Sequence, residues 1–157
     1  MEVLENITYD EIKIGDQCHF SKTLTEDDIL MFATVSGDIN PVHLDEDFAR
    51  NTIFKKRIAH GMWSGSLVSA ALATVMPGPG TIYLNQSFNF HRPVMLGDTL
   101  QVTLCAETKK DDKNIVVFSC DVKNQHEKTV LTGEAQVIAP TQKISIPRPK
   151  LPQLQVK

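Results

Sequence analysis

Asp38 and His43, in the stretch SGDINPVHLDEDFA (residues 36–49), are an acid and an imidazole placed where a single bend of the chain can bring them together. A carboxylate and a histidine that reach the same water can orient it and move its protons near neutral pH, so the pair suits the addition of water to a substrate. Pro41 limits the freedom of the bend, and Asn40 supplies an amide that can fix the loop or a substrate group. The same residues are also ordinary material for a polar turn with helix caps, because Asp and Asn satisfy nearby backbone N–H groups. Spacing alone leaves both readings open.

A second cluster is IAHGMWSG (residues 58–65). If Gly61 begins a helix, its N–H is one of the donors left without an intrahelical partner, and it points where a developing oxyanion would be stabilised. His60 could serve as a ligand or base. No third residue completes a metal spacing such as HExxH, however, so His60 reads as structural and no metal is expected. Neither GxGxxG nor GxxxxGK[ST] occurs, which removes the usual nucleotide loops. Ser64, Ser66 and Ser69 lack a GxSxG elbow. Cys18, Cys105 and Cys120 form no CxxC pair and read as reduced thiols, with Cys105 and Cys120, in strand-like runs, as small buried groups rather than nucleophiles.

These residues need elements to hold them. TEDDILMFATVSG predicts a helix capped by Thr25 and Asp28, with acids in the first turn and Gly37 to end it. Asn40-Pro41 reads as a turn, and Asp45 can cap a second short helix. From Gly61 to Val75 the residues are apolar or small all round, as a helix covered on every side requires, and MPGPG stops it. Gly61, Gly65, Ser69 and Ala73 form a stripe of small residues, suited either to tight packing on a sheet or to a ligand groove.

The period then changes to two. TIYLNQSFNFH predicts a strand that buries Ile82, Leu84, Phe88 and Phe90 on one face, and TLQVTLCAE, NIVVFSCDV and TVLTGEAQVIA predict three more. QCHFSKTLT adds a fifth. The expected fold class is therefore α+β, one long helix against an antiparallel sheet of about five strands. The division expected is a domain over residues 1–140 and a Pro-rich tail or linker over 141–157.

The chain has 157 residues, 41% hydrophobic and 22% charged, with net charge -3, which fits one globular domain. No cluster of Lys and Arg is interleaved with aromatics, so nucleic acid is not an expected partner. Residues 58–76 carry no charge, but His60, three serines and two glycines make a buried helix the better reading than a membrane span. The acidic start, without an apolar segment, reads as neither a signal nor a transit peptide, and a cytoplasmic protein is expected.

In order and spacing, SGDINPVHLDEDFA, IAHGMWSGSLVSAAL, PGPGTIYLNQSFNFHRPVMLGDTL and TGEAQV resemble the MaoC-like (R)-specific enoyl-CoA hydratases of hotdog fold, over roughly residues 8 to 140. The resemblance implies a long helix wrapped by an antiparallel sheet, and hydration of trans-2-enoyl-CoA to (R)-3-hydroxyacyl-CoA without metal or cofactor. It implies that Asp38 and His43 hold the water and act as catalytic acid and base, that the Gly61 amide binds the thioester carbonyl, and that Asn40 and Ser69 orient the pair or the substrate. A homodimer is implied too. The GMW variant and the tail are also similar to the hydratase half of bifunctional enoyl-CoA hydratase/phosphate acetyltransferases. Leu67, Val68, Ala71 and Leu72 are expected to help set the pocket's size. The alternatives are an acyl-carrier-protein dehydratase, with Lys55, Lys56 and Arg57 as its basic patch, a hotdog acyl-CoA thioesterase, and a non-catalytic acyl-CoA binding protein.

Overall fold

The computed structural model describes residues 2–156. Its main sheet has five antiparallel strands, formed by β2 (Gln17–Thr23), β3 (Ile82–Phe90), β4 (Thr99–Lys110), β5 (Ile115–Lys123) and β6 (Thr129–Ile138), in the order β2-β4-β5-β6-β3. Side chains of alternate residues enter one core: Leu100, Val102, Leu104 and Ala106 from β4, Val116, Phe118, Cys120 and Val122 from β5. Against this face lies α4 (Gly61–Thr74), which buries Trp63, Leu67, Val68, Ala71 and Leu72. The sheet covers only one side of α4, so the helix is not enclosed all round as expected: Gly61, Met62, Ser66 and Ala73 are exposed. The chain leaves it through the cis Met76–Pro77 peptide.

Three shorter helices precede α4. In α1 (Glu26–Ser36) the expected capping box is present: the Thr25 side chain accepts from the Asp28 N–H, the Asp28 carboxylate accepts from the Thr25 N–H, and Gly37 ends the helix with φ 76°. Then come α2 (Pro41–Leu44) and α3 (Glu46–Arg50), capped by Asn40 and Asp45. The helical turn α2 went unforeseen because Asn-Pro reads as a turn signal, whereas here Asn40 is an N-cap and Pro41 takes the first helical position. Arg57 ties two of the helices together, bonding Glu26 at the start of α1 and Glu46 at the start of α3.

The strand at 82–90 departs from expectation. Ile82, Leu84 and Phe90 are exposed, and only Phe88 of the expected face is partly covered. The cause is its position: β3 is an edge strand paired only with β6, and an irregularity between Tyr83 and Asn85 interrupts its register. The first two residues of the small-residue stripe of α4 lie against this strand, where a Cβ at Gly61 would meet Phe90 at 3.1 Å and one at Gly65 would meet Phe88 at 2.8 Å, while Ala73 is exposed.

The Pro-rich end is anchored. Here β7 (Ser145–Pro147) pairs antiparallel with β1 (Val3–Glu5), and the buried Asn6 side chain donates to the carbonyls of Pro79 and Gln142 and accepts the Ile144 N–H. Among the described residues no helix is long and apolar enough to cross a membrane.

All three cysteines are free thiols. Burial pushes the Cys18 and Cys120 thiols up to about 11, so neither offers thiolate at neutral pH. The native protein should therefore resist iodoacetamide at these two positions and react fully once unfolded. Peptide mapping after alkylation checks this, and rapid native labelling of Cys18 or Cys120 would contradict the packing.

Candidate active site

The residues that could do chemistry come from three adjoining pieces of backbone: the loop after α1, the turn α2, and the N-terminus of α4. His43 is 7% exposed, and its Nδ1 lies 2.8 Å from the carbonyl oxygen of Ile58. A carbonyl only accepts, so Nδ1 carries the hydrogen, and in the neutral imidazole Nε2 then presents a lone pair. That lone pair faces Asp38 Oδ2 at 3.9 Å. The distance is too long for a direct hydrogen bond, and a neutral imidazole nitrogen and a carboxylate oxygen are both acceptors. A molecule with two O–H donors is what fits between them.

Asp38 is itself fixed locally. Its Oδ1 accepts the Asn40 N–H at 3.1 Å, and Asn40 Oδ1 accepts the Val42 N–H at 3.2 Å as the cap of α2. Asn40 thus joins the acid to the turn that carries the imidazole. The segment before α4 is pinned by Ala59 N–H to the Val94 carbonyl at 2.8 Å and by Ile58 N–H to the Val42 carbonyl at 3.4 Å. Residue 61 then opens the helix with its N–H at a position that has no intrahelical acceptor.

Two cavities meet at Gly61. One, of about 330 Å³, is lined by His43, Ile58, His60, Gly61, Phe90 and Arg92 among others. The other, of about 370 Å³, is lined by Phe32, Ser36, Asp38, His60, Gly61, Met62 and Phe90. Asp38, His43 and Gly61 are therefore brought together as expected from the sequence. Ser69 is not with them: it lines a larger cavity, about 650 Å³, with Gly65, Ser66, Gln86 and Phe88, which shares Phe32 and Met62 with the Asp38 cavity. Leu67, Val68, Ala71 and Leu72 lie in the core at 4% exposure or less, on the side of α4 that faces the sheet interior, so the larger cavity takes its walls from other residues.

His60 stacks on His43, with ring centroids 3.9 Å apart and planes at 26°. Ligand atoms of Asp38, His43 and His60 lie within 4.8 Å of one another. Stacked rings hold their in-plane lone pairs side by side rather than aimed at one point, which is poor geometry for a shared metal ion. The Ile58 carbonyl, Phe32 and Phe90 had no signal in the sequence as site residues, because each reaches the site through a tertiary contact. His60 did have one, its place directly before Gly61.

The fold and this arrangement define a hotdog domain with an acid/imidazole pair beside a helix N-terminus. The chain belongs to the MaoC-like domain family, whose model matches residues 11–128. It is 45% identical over 134 residues to an (R)-specific enoyl-CoA hydratase of Rhodospirillum rubrum, covering 84% of this chain and 91% of that protein. It is 36% identical over 132 residues to a mitochondrial 3-hydroxyacyl-[acyl-carrier-protein] dehydratase of Arabidopsis thaliana, covering 82% and 78%. Among solved structures, the unliganded R-hydratase PhaJ1 of Pseudomonas aeruginosa superposes with a TM-score of 0.95 at 48% identity, covering 99% of this chain and 100% of that one.

Proposed function

We propose that the chain is an (R)-specific enoyl-CoA hydratase, adding water to trans-2-enoyl-CoA to give (R)-3-hydroxyacyl-CoA and catalysing the reverse dehydration. The observation that carries this reading is the pair of acceptors, His43 Nε2 and Asp38 Oδ2, facing each other across 3.9 Å beside the Gly61 N–H. A water between them directs both hydrogens to the protein and its oxygen lone pairs to the substrate. As the oxygen bonds to C3, one acceptor takes a proton, and the C2=C3 electrons move to C2 and onto the thioester oxygen. The Gly61 N–H meets that oxygen as it gains charge. The held proton then passes to C2, which completes the addition of H2O and restores the pair. No metal or redox cofactor is required by this sequence of steps.

CoA is the carrier best supported, because the relative at 45% identity is named for it. The basic patch that a carrier-protein dehydratase would use is reduced here: Lys55 and Lys56 are exposed, but Arg57 is occupied by Glu26 and Glu46. The Rhodospirillum and Arabidopsis relatives and the Pseudomonas structure are named as hydratases or dehydratases, and none of them for a phosphate acetyltransferase activity, so the bifunctional reading of the tail gains no support from them. Three free thiols fit a reducing compartment such as the cytoplasm.

The test is to follow enoyl absorbance and free thiol together when the purified protein meets crotonyl-CoA. Absorbance should fall without thiol release and settle at a position also reached from 3-hydroxybutyryl-CoA. Thiol release in step would make the protein a thioesterase, and no change with either measure would leave a carrier-protein substrate or a binding role.

A homodimer is proposed as well. The edge strand β3 exposes Ile82, Leu84 and Phe90, and an exposed apolar edge is a liability unless another strand or chain covers it. Light scattering should give twice the mass of one chain, and a monomer would remove this interface.

A further inference from the structure

The acid/base pair and the oxyanion donor sit on separate pieces of chain, so something must hold the distance between them. The loop carrying Asp38 makes mostly local bonds: Gly37 N–H to the Ala33 carbonyl, Asp38 N–H to Ser36 Oγ, and Asn40 N–H to Asp38 Oδ1. Among the described residues, the hydrogen bond that ties residues 37–40 to a distant part of the chain comes from His60, whose Nε2 lies 2.9 Å from the Asp38 carbonyl oxygen. Since that oxygen only accepts, Nε2 carries the hydrogen.

Three further features of His60 point the same way. It occupies the N-cap of α4, where Ser, Thr, Asp or Asn would bond the helix N–H groups, yet its side chain makes no capping bond. Its ring is 2% exposed and lies against two neighbours, His43 at 3.9 Å and Phe32 at 5.0 Å between centroids. Its Nδ1 is buried without a hydrogen-bond partner. A buried polar atom left unsatisfied is unfavourable, and one in a native structure calls for a reason. The reason here is that one side chain must both donate from Nε2 and offer a flat ring to His43, and histidine does both at the cost of an idle Nδ1.

We infer that His60 is a positioning residue: through its bond to the Asp38 carbonyl and its stack on His43, it sets the water-holding pair at a fixed distance from the N–H of the next residue, Gly61. The inference rests on the hydratase reading for its kinetic consequence but not for its structural one. A shift of about 1 Å in such a site can cost on the order of 10²-fold in rate without touching substrate.

Gln and Asn variants separate reach from polarity. A glutamine amide can occupy the place of Nε2 and donate to the Asp38 carbonyl, whereas an asparagine amide is too short, and leucine removes the donor altogether. With crotonyl-CoA, His60→Asn and His60→Leu should lower kcat about 10²-fold with KM little changed, while His60→Gln, which keeps the bond but not the stacked ring, recovers part of the loss. In parallel, amide hydrogen exchange at residues 38–40 should quicken in the Asn and Leu variants and stay near wild type in the Gln variant. A Gln variant as slow as Asn, or an Asn variant with wild-type kcat, would overturn the inference. Should the Leu protein not fold, the Gln and Asn pair still decides. Should the wild type not hydrate crotonyl-CoA, the hydratase reading fails on its own, and equal exchange at residues 38–40 in the Gln and Asn variants would overturn the positioning role separately.

Discussion

Asp38→Asn should lower kcat for crotonyl-CoA hydration by about 10²- to 10⁴-fold, the range that a positioned acid or base contributes, while KM changes little. The substitution is close to isosteric, and an asparagine Oδ1 can keep the bond from the Asn40 N–H that now fixes the carboxylate. What changes is the atom facing His43. In place of an acceptor there is an NH2, which donates to His43 Nε2, occupies the lone pair meant for water and accepts no proton. The Asp38 side chain is 51% exposed, so its replacement should leave the thermal midpoint near that of the wild type. His43→Ala should be as damaging, and the double variant no worse than the poorer single one, because the two residues act on one water. An Asp38→Asn protein with more than a tenth of wild-type kcat would show that the carboxylate is not part of the chemistry.

Removal of one N–H should have an effect nearly as large. Gly61 is the first residue of α4, the helical position where proline is best tolerated, and His60 before it has φ -57° and ψ 135°, a conformation that suits a residue preceding proline. Gly61→Pro therefore deletes the proposed oxyanion donor while keeping the helix. The expected loss is about 10²- to 10³-fold in kcat, the usual effect of removing one such donor. Any side chain at this position meets Phe90 at 3.1 Å, so the loss must be compared with Gly61→Ala, which adds the same Cβ and keeps the N–H. Phe90 is 53% exposed and can yield. Equal activity in the Ala and Pro variants would remove Gly61 from the mechanism.

How much of this was legible in the sequence depends on the range of the interaction. The capping box of Thr25 and Asp28, the left-handed Gly37 and the existence of a helix from Gly61 follow from residues within a few positions of one another, and the structure has them, although α4 is covered on one side only. Asp38, His43 and Gly61 were recognisable as types at a spacing, and they do converge. What local pattern could not supply was the contact made across the fold. The tautomer of His43 is fixed by Ile58, 15 residues away, and the Asp38 loop is tied to His60, 22 residues away. Ser69 follows the small-residue stripe of α4 but is carried by helical rise into a neighbouring cavity. The alternation in β3 was real, yet alternation cannot tell a face buried by its own chain from one left open at a sheet edge.

The central claim is that one water, held on one side of the substrate by Asp38 and His43, is delivered to C3 while Gly61 fixes the thioester carbonyl. A water presented from a single side reaches a single face of the double bond. The most direct measurement is chiral analysis of the 3-hydroxybutyryl-CoA formed from crotonyl-CoA by the wild-type protein. The account expects the (R) enantiomer alone; a racemic or (S) product would contradict it.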